Sequence, residues 1–275
     1  KSQGARLTPR VSGMIGVRAA RACLPLALCA LATPSRGAGN SSLELQWATP
    51  IFVHYVDAEK VAELKLELLR AGAALRSADP VGREASNRGG WHSSTDLHRR
   101  KEPAALRDVR REVEAAIANF WRAGLERSPR LKGRSAQPKL YIKEMWMMML
   151  GLGDSNIVHK HPGSVMAGVF YVNVPRISSR GAAGAIKFRD PRPQTSVLDG
   201  LEWMGMGAEV QVNPAEGMML LWPAWLEHYV EPLVPSAAER PRGMEAALDG
   251  SLGRLESGPM ESLRIAISFN VGAKA

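Results

Sequence analysis

The stretch Val158–Pro175 reads VHKHPGSVMAGVFYVNVP and places two histidines just ahead of a run of strand-forming residues. Runs rich in Val, Phe and Tyr that are bounded by Gly, Pro and Asn are typical of β-strands. Because residues i and i+2 of a strand share a face, this spacing predicts that His159 and His161 open a strand and direct their imidazoles to one point. A third histidine, His228, lies at the end of a later strand-like run.

Imidazole is a ligand for Fe, Zn, Cu and Ni, and the three histidines therefore predict a metal site. The alternative is that one or more of them is a surface residue or an ordinary hydrogen-bonded residue. A jelly roll would favour the interpretation as a metal site, since this fold brings distant strand ends together at one end of the barrel.

The second half of the chain is organised as short strand-like runs separated by turn residues. No long helical pattern lies between them, which disfavours a doubly wound α/β fold and favours a sandwich, barrel or jelly roll. The seven predicted strands lie at residues 139–150, 164–174, 184–190, 208–214, 217–225, 228–234 and 264–272.

The first half is predicted to supply one strand and two helices. Leu43–Val56 has the pattern of a strand, and Asp57 can cap the helix that follows it. Residues 76–100 are polar and contain glycine, so they are predicted to form a loop. A second helix is predicted over Glu102–Leu125, with an apolar stripe made by Ala105, Val109, Val113, Ile117 and Phe120.

These patterns predict a mainly β (α+β) protein with N-terminal helices packed on a jelly roll. We expect one domain over residues 43–275, with a helical part at 43–139 and a jelly-roll core at 140–275. A segment rich in Pro, Gly, Ala and Glu at 235–262 separates the last two strands and is predicted to be a surface insert.

Residues 1–42 are predicted to be a targeting leader or a disordered segment. They contain arginines but no acidic residue, followed by an apolar run at 22–32 that is too short to span a bilayer. This order suits a secretory signal or an organellar transit peptide. Both cysteines, Cys23 and Cys29, lie in this leader, so the expected domain has no thiolate for a disulfide or a metal.

The net charge of +9 is concentrated at the N-terminus and does not indicate nucleic-acid binding. The chain has 36 basic and 27 acidic residues, and six of the basic residues lie in 1–43, which leaves +3 for the remainder. Without a strongly basic surface the main electrostatic argument for DNA or RNA binding is lost.

Five motifs in a fixed order resemble the 2-oxoglutarate/Fe(II)-dependent oxygenases. The motifs are HKHPGS, GVFYV, FRDPR, GMMLLWPAWLEHYV and RIAISFN, and the resemblance extends over about Leu45–Gly272. Within that superfamily the chain is most similar to a branch of uncharacterised bacterial and phage proteins. The resemblance implies a double-stranded β-helix, a jelly roll, that binds one Fe(II) and uses 2-oxoglutarate as cosubstrate.

The resemblance also implies a ligand set, with one departure. His159 matches the first ligand of the superfamily and His228 the distal one, whereas His161 occupies the position of the usual carboxylate. Asp154 has the wrong spacing to replace that carboxylate, and Glu227 would point to the opposite strand face from His228. The expected metal ligands are therefore His159, His161 and His228.

The cosubstrate needs a cationic partner for its distal carboxylate. Arg264 matches the basic residue that follows the distal histidine in the superfamily, and a guanidinium binds a carboxylate through two parallel hydrogen bonds. Ser268 shares the strand face of Arg264, and Tyr171 matches a phenol that contacts the same carboxylate in related hydroxylases. The alternatives are a surface arginine at a strand end and a tyrosine that only packs in the core.

The expected activity is that of an Fe(II)- and 2-oxoglutarate-dependent dioxygenase, which couples decarboxylation of 2-oxoglutarate to succinate with oxidation of a substrate by O₂. Two alternatives remain open at this point. One is a cupin-like three-histidine metal dioxygenase that does not use 2-oxoglutarate, and the other is a non-catalytic metal-binding protein. No stable membrane span is expected.

Overall fold

Two antiparallel sheets and two helices make up the part of the chain that the computed structural model describes. The predicted leader at 1–42 lies outside the described residues, as do residues 235–259 of the predicted insert. No helix in the described part combines the length and the apolar character that a membrane crossing requires. The described residues are 48–127, 138–175, 182–192, 208–234 and 260–274.

The two helices lie in the first half of the chain and eleven strands are described. The helices are α1 (Ala58–Ala78) and α2 (Ala104–Arg127). The strands are β1 (Phe52–Tyr55), β2 (Asn87–Arg88), β3 (Trp91–His92), β4 (Lys139–Leu150), β5 (Ser155–His159), β6 (Met166–Asn173), β7 (Ile186–Arg189), β8 (Glu209–Val212), β9 (Met218–Pro223), β10 (His228–Val230) and β11 (Arg264–Lys274).

The order of the strands is that of a jelly roll. One sheet has the order β1-β9-β6-β11-β4-β3 and the other β2-β5-β10-β7-β8. From β4 onward the chain changes sheet at each connection, except between β7 and β8, which are neighbours in one sheet. Eight antiparallel strands divided in this way between two sheets form a double-stranded β-helix, so the predicted fold class is confirmed.

The helices cover the outer face of the first sheet, and the apolar pattern of the sequence explains how. The α2 stripe at Ala105, Val109 and Val113 is buried in the same cluster as Leu68 of α1 and Met147 of β4. Asp57 caps α1 as predicted, because its side chain accepts hydrogen bonds from the first-turn backbone.

The second half of β4, Met145–Leu150, is buried on both faces, which explains its continuous apolar sequence. Met145, Met147 and Met149 lie in the cluster under the helices. The residues between them, Trp146 and Met148, belong to a different cluster on the opposite face of the strand. This second face lies toward the interior of the jelly roll, where Trp146 and Met148 line a cavity.

Three short strands were not expected from the sequence. Residues 76–100 were predicted to be a loop, but β2 pairs with β5 and β3 pairs with β4, so that segment adds an edge to each sheet. Two-residue strands are too short to show a periodic pattern. Here β2 and β3 are defined by their hydrogen bonds to β5 and β4. Strand β5 was also missed, and within the described residues the predicted first strand is confined to β1.

We expect Gly168→Ala to destabilise the fold, because β6 passes closely against β11 at this point. A Cβ on Gly168 would collide with the ring of Phe269 and would lie 2.8 Å from the carbonyl oxygen of Leu220. Overpacking of this kind typically costs about 1–3 kcal/mol. Urea unfolding should measure a loss of that size, whereas Gly124→Ala, in an exposed part of α2 with no atom within 4 Å, should be neutral or stabilising.

Candidate metal and cosubstrate site

Three histidines converge at one end of the jelly roll. One ligand nitrogen from each of His159, His161 and His228 lies within 4.8 Å of the other two. The Nε2 atoms of His161 and His228 are 3.2 Å apart. Two nitrogens bound at about 2.1 Å to one ion would lie about 3.0–3.4 Å apart, between octahedral and tetrahedral angles. The separation therefore suits a shared ion as well as a direct hydrogen bond.

Backbone pairing between two strands brings the histidines together. His159 is the last residue of β5 and pairs directly with His228, the first residue of β10. His161 lies in the turn after β5, where its backbone N–H donates to the carbonyl oxygen of Ala224 at 2.9 Å. This bond ties the turn to the segment that leads into β10.

The reason given from sequence for this convergence was wrong in two respects. His159 and His161 do not open a strand and share its face, since one ends β5 and the other lies in a turn. His228 begins its strand rather than ending it. The convergence results from cross-strand pairing and from the turn, not from alternation along one strand.

Two of the imidazoles are oriented by nearby backbone carbonyls. Nδ1 of His159 is 2.7 Å from the Ile157 oxygen, and Nδ1 of His228 is 2.9 Å from the Leu226 oxygen. A carbonyl only accepts, so Nδ1 is the protonated nitrogen in each ring and Nε2 presents its lone pair. This arrangement is typical of histidines that bind metals.

Burial keeps the imidazoles neutral. It lowers the pKa of His161 to about 3 and that of His228 to about 2, with a further decrease from the neighbouring histidines. The pKa of His159 is also lowered by burial. Metal ligands must be deprotonated, so at neutral pH these rings are in the form that a divalent ion requires.

These shifts predict that the chelator-treated protein loses stability in mild acid. An unfolded histidine has a pKa of about 6.5. Below that pH the histidines of the unfolded chain bind protons, whereas those of the folded chain stay neutral. For His161 and His228 together, we expect the free energy of unfolding at pH 5.5 to be about 2.5 kcal/mol lower than at pH 7. Urea unfolding across this range measures it. His161→Phe should show a decrease smaller by about 1.2 kcal/mol, and equal slopes for both proteins would contradict the assignment.

Neither of the nearby carboxylates joins the three histidines. Asp154 Oδ2 accepts a hydrogen bond from the Gly151 backbone N–H at 2.8 Å, within a turn. Glu227 forms a salt bridge with Lys160 at 3.1 Å. Among the described residues the cluster therefore consists of three neutral imidazoles.

Arg264 is buried in the same cavity and has no carboxylate partner there. Only 3% of the residue is exposed, so it is not a surface arginine at a strand end. Its guanidinium carbon lies 4.9 Å from the centre of the Tyr171 ring. No described carboxylate forms a salt bridge with it, and its Nε has no hydrogen-bond partner in the described part of the chain. A buried charge without a partner is costly, so this position favours an anionic ligand.

Tyr171 and Ser268 lie on the same side of the cavity as Arg264. Tyr171 is buried on β6 opposite Ala266 of β11, and its hydroxyl has no partner among the described residues. Burial raises the pKa of this hydroxyl, so Tyr171 is a neutral donor. Ser268 follows Arg264 by four residues on the same strand and also lines the cavity.

The remaining cavity wall contains further polar and aromatic residues. Ser86, Trp146 and Met148 line it, together with Asn156 and Trp222. The alternation of β4 could have identified Trp146 and Met148, but Ser86 precedes a two-residue strand and carried no signal. Asn156 Oδ1 and Trp222 Nε1 are buried without partners among the residues described.

An aromatic stack supports one side of the histidine cluster. His92 of β3 lies parallel to Trp146, with ring centres 5.4 Å apart, and Trp146 lies 6.1 Å from His161. His92 Nδ1 is 2.6 Å from the carbonyl oxygen of Ser93. The previously unexpected strand β3 thus places a ring behind the tryptophan that borders the cavity.

A comparison with protein families identifies the segment that contains most of this site. Residues 144–242 match the family described as "Putative 2OG-Fe(II) oxygenase". The resemblance to 2-oxoglutarate/Fe(II) oxygenases is confirmed. The matched segment includes all three histidines and Tyr171, whereas Arg264 lies beyond it. The narrower similarity to a bacterial and phage branch stays a prediction, and no curated protein has a significant sequence match to the chain.

Solved structures of oxygenases show similarity at low sequence identity. A prolyl hydroxylase from Trichoplax adhaerens, solved with a hypoxia inducible factor peptide, is 12% identical with a TM-score of 0.48, covering 81% of this chain and 83% of its own. A prolyl-4-hydroxylase from Pseudomonas putida is 13% identical with a TM-score of 0.46, covering 82% of this chain and 94% of its own. A viral collagen prolyl hydroxylase from Paramecium Bursaria Chlorella virus-1, solved with 2OG, is 10% identical with a TM-score of 0.40, covering 80% of this chain and 94% of its own.

Proposed function

We propose that the chain is an Fe(II)- and 2-oxoglutarate-dependent dioxygenase that hydroxylates a substrate still to be identified. The observation that carries this proposal is a buried Arg264, with no carboxylate partner among the described residues, in the same cavity as three convergent imidazoles. The family match at residues 144–242 supports the same reaction class. Fe(II) and 2-oxoglutarate, when bound, supply the oxidation of a substrate C–H bond by O₂, with release of succinate and CO₂.

The donor set fits Fe(II). His159 and His228 present Nε2 lone pairs that are fixed by Nδ1 hydrogen bonds, and His161 lies 3.2 Å from His228 between their Nε2 atoms. In this proposal His159, His161 and His228 hold the ion, and His161 takes the position of the superfamily's carboxylate. The short distances between the rings mean that little rearrangement is needed on binding.

The opposite wall fits 2-oxoglutarate. Arg264 would bind the distal carboxylate through its planar fork, and the Tyr171 hydroxyl would donate a further hydrogen bond. Both residues have buried polar atoms without partners in the described structure, Nε in one case and the phenolic oxygen in the other. Ser268 contributes a hydroxyl to the same wall. A ligand with a carboxylate at this end would satisfy these groups.

The apolar residues of the cavity would exclude water from the bound cosubstrate. Val169 and Ile186 line the space between the two sheets, and both are buried. Exclusion of water strengthens the ion pair with Arg264, because the local dielectric constant is low. The protein would thus bind, orient and desolvate the cosubstrate.

A second candidate is a three-histidine metal dioxygenase that does not use 2-oxoglutarate. The absence of a carboxylate from the described cluster favours it. The buried Arg264 argues against it, since that reaction gives no reason for a guanidinium deep in the cavity. A non-catalytic metal-binding protein would share the histidines but would need neither cosubstrate nor O₂.

An assay of succinate formation distinguishes these functions. We expect the iron-loaded protein to convert 2-oxoglutarate to succinate slowly without added substrate, and Arg264→Ala to abolish this turnover. Oxygen consumption that is independent of 2-oxoglutarate would favour the second candidate. Stoichiometric iron without consumption of O₂ or 2-oxoglutarate would indicate the metal-binding protein and contradict our proposal.

A further inference from the structure

The cavity has positive charge and contains no acidic side chain among its described residues. Its lining includes Arg264 and the three histidines, but neither Asp nor Glu. The carboxylates next to the histidines in sequence are engaged elsewhere, Glu227 with Lys160 and Asp154 with a backbone N–H. A ligand set of three neutral imidazoles leaves the full charge of a divalent ion in place.

We infer that the site binds a second anion, in addition to 2-oxoglutarate, beside the metal position formed by His159, His161 and His228. This inference rests on the proposed function. A divalent ion and Arg264 together carry three positive charges, and the 2-oxoglutarate dianion cancels two of them. In the usual arrangement a carboxylate ligand would cancel the remaining positive charge. Here His161 takes the place of that carboxylate and is neutral.

Burial makes this uncompensated charge costly. A net charge in a largely buried cavity is unfavourable unless it is paired, and no described residue supplies the pairing group, so we assign that group to a ligand. Tyr171 does not provide it, since burial raises the pKa of its hydroxyl and keeps it neutral. We expect a ligand with a single negative charge, which is either a group of the organic substrate or a small inorganic anion.

A buried hydrogen-bond donor without a described partner lies in the same cavity as the histidines. Trp222 is 2% exposed and lines the same cavity, with its ring 4.8 Å from the ring of His228. Its Nε1–H has no hydrogen-bond partner in the described part of the chain. An indole N–H donates only, so it suits an anion and cannot bind a second cation. Trp222 is thus the residue of this chain that we assign to the second anion.

The test uses the full chain loaded with Co(II) and 2-oxoglutarate under anaerobic conditions. Binding of one equivalent of each is established first, because failure at that stage contradicts the proposed function itself. Sodium azide, chloride and acetate are then titrated separately at constant ionic strength set with perchlorate, and the visible cobalt spectrum is recorded. We expect saturable binding of one anion.

Two variants make the inference specific. His161→Asp restores a negative ligand and should weaken anion binding at least about tenfold, which corresponds to about 1.4 kcal/mol. Trp222→Phe should weaken anion binding while the protein still binds one Co(II) and one 2-oxoglutarate. Acetate binding would indicate that the second anion is a carboxylate on the substrate. Binding of chloride or azide alone would indicate that it is a small inorganic anion.

The inference is overturned if none of the three anions changes the spectrum of the cobalt and 2-oxoglutarate complex. It is equally overturned if wild type and His161→Asp bind the anion with the same affinity. If His161→Asp does not fold, an unchanged anion affinity in Trp222→Phe overturns the assignment of the donor.

Discussion

His228→Ala should lose its iron, with an affinity for Fe(II) at least about 100-fold below that of the wild-type chain. Even outer-shell residues of metal sites typically contribute about 10–100-fold, and His228 is proposed as a direct ligand. Its position also makes it central, since it pairs in register with His159 and approaches His161 to 3.2 Å between Nε2 atoms. The measurement is the iron content of purified protein after equilibration with a defined excess of Fe(II) and gel filtration.

A histidine outside the cluster provides the matched control. His54 lies on β1, where its ring stacks against Phe52 with ring centres 6.5 Å apart. His54→Ala should retain one equivalent of iron. A His228→Ala protein that is folded and still binds iron stoichiometrically would show that the three imidazoles are not the metal site.

Arg264→Ala should lose 2-oxoglutarate while keeping iron. Removing one partner of a buried charge pair costs about 2–5 kcal/mol, and we therefore expect the dissociation constant for 2-oxoglutarate to rise at least about 30-fold. Isothermal titration of the anaerobic, metal-loaded protein measures this constant directly. Since none of the three histidines is altered, metal stoichiometry should be unchanged.

Two further variants test whether 2-oxoglutarate binding depends on the planar guanidinium and on its position in the cavity. Arg264→Lys keeps the positive charge but lacks the planar fork, so its affinity should lie between those of wild type and Arg264→Ala. Arg189→Ala removes an exposed arginine that pairs with Glu209 at 3.7 Å, and should leave 2-oxoglutarate binding unchanged. If Arg264→Ala bound 2-oxoglutarate as tightly as wild type, the cosubstrate site would have been assigned to the wrong residue.

Much of the fold follows from sequence because its core strands are long and strongly patterned. Strands β4, β6, β9 and β11 have apolar runs bounded by turn residues, and the stripe of α2 is buried as predicted. Edge strands could not be found in this way. A two-residue strand such as β3 has no period of its own and depends on the strand beside it, in this case β4.

The site was predictable in its residue types but not in its geometry. The histidine pattern selected His159, His161 and His228, the resemblance added Arg264, and the structure brings all four to one cavity. How they meet depends on the register between β5 and β10, which no local pattern encodes. Residues recruited from outside the jelly-roll core, such as Ser86, were missed for the same reason: their position depends on contacts that are distant in sequence.

The most direct test of this account is an anaerobic titration of the Fe(II)-loaded chain with 2-oxoglutarate, followed through the visible charge-transfer absorbance of the iron–cosubstrate complex. We predict a band that saturates at one equivalent of 2-oxoglutarate per iron and fails to develop in Arg264→Ala at the same concentration. Stoichiometric iron with no band at any concentration of 2-oxoglutarate would contradict the central claim that the imidazole cluster and the buried guanidinium form one site.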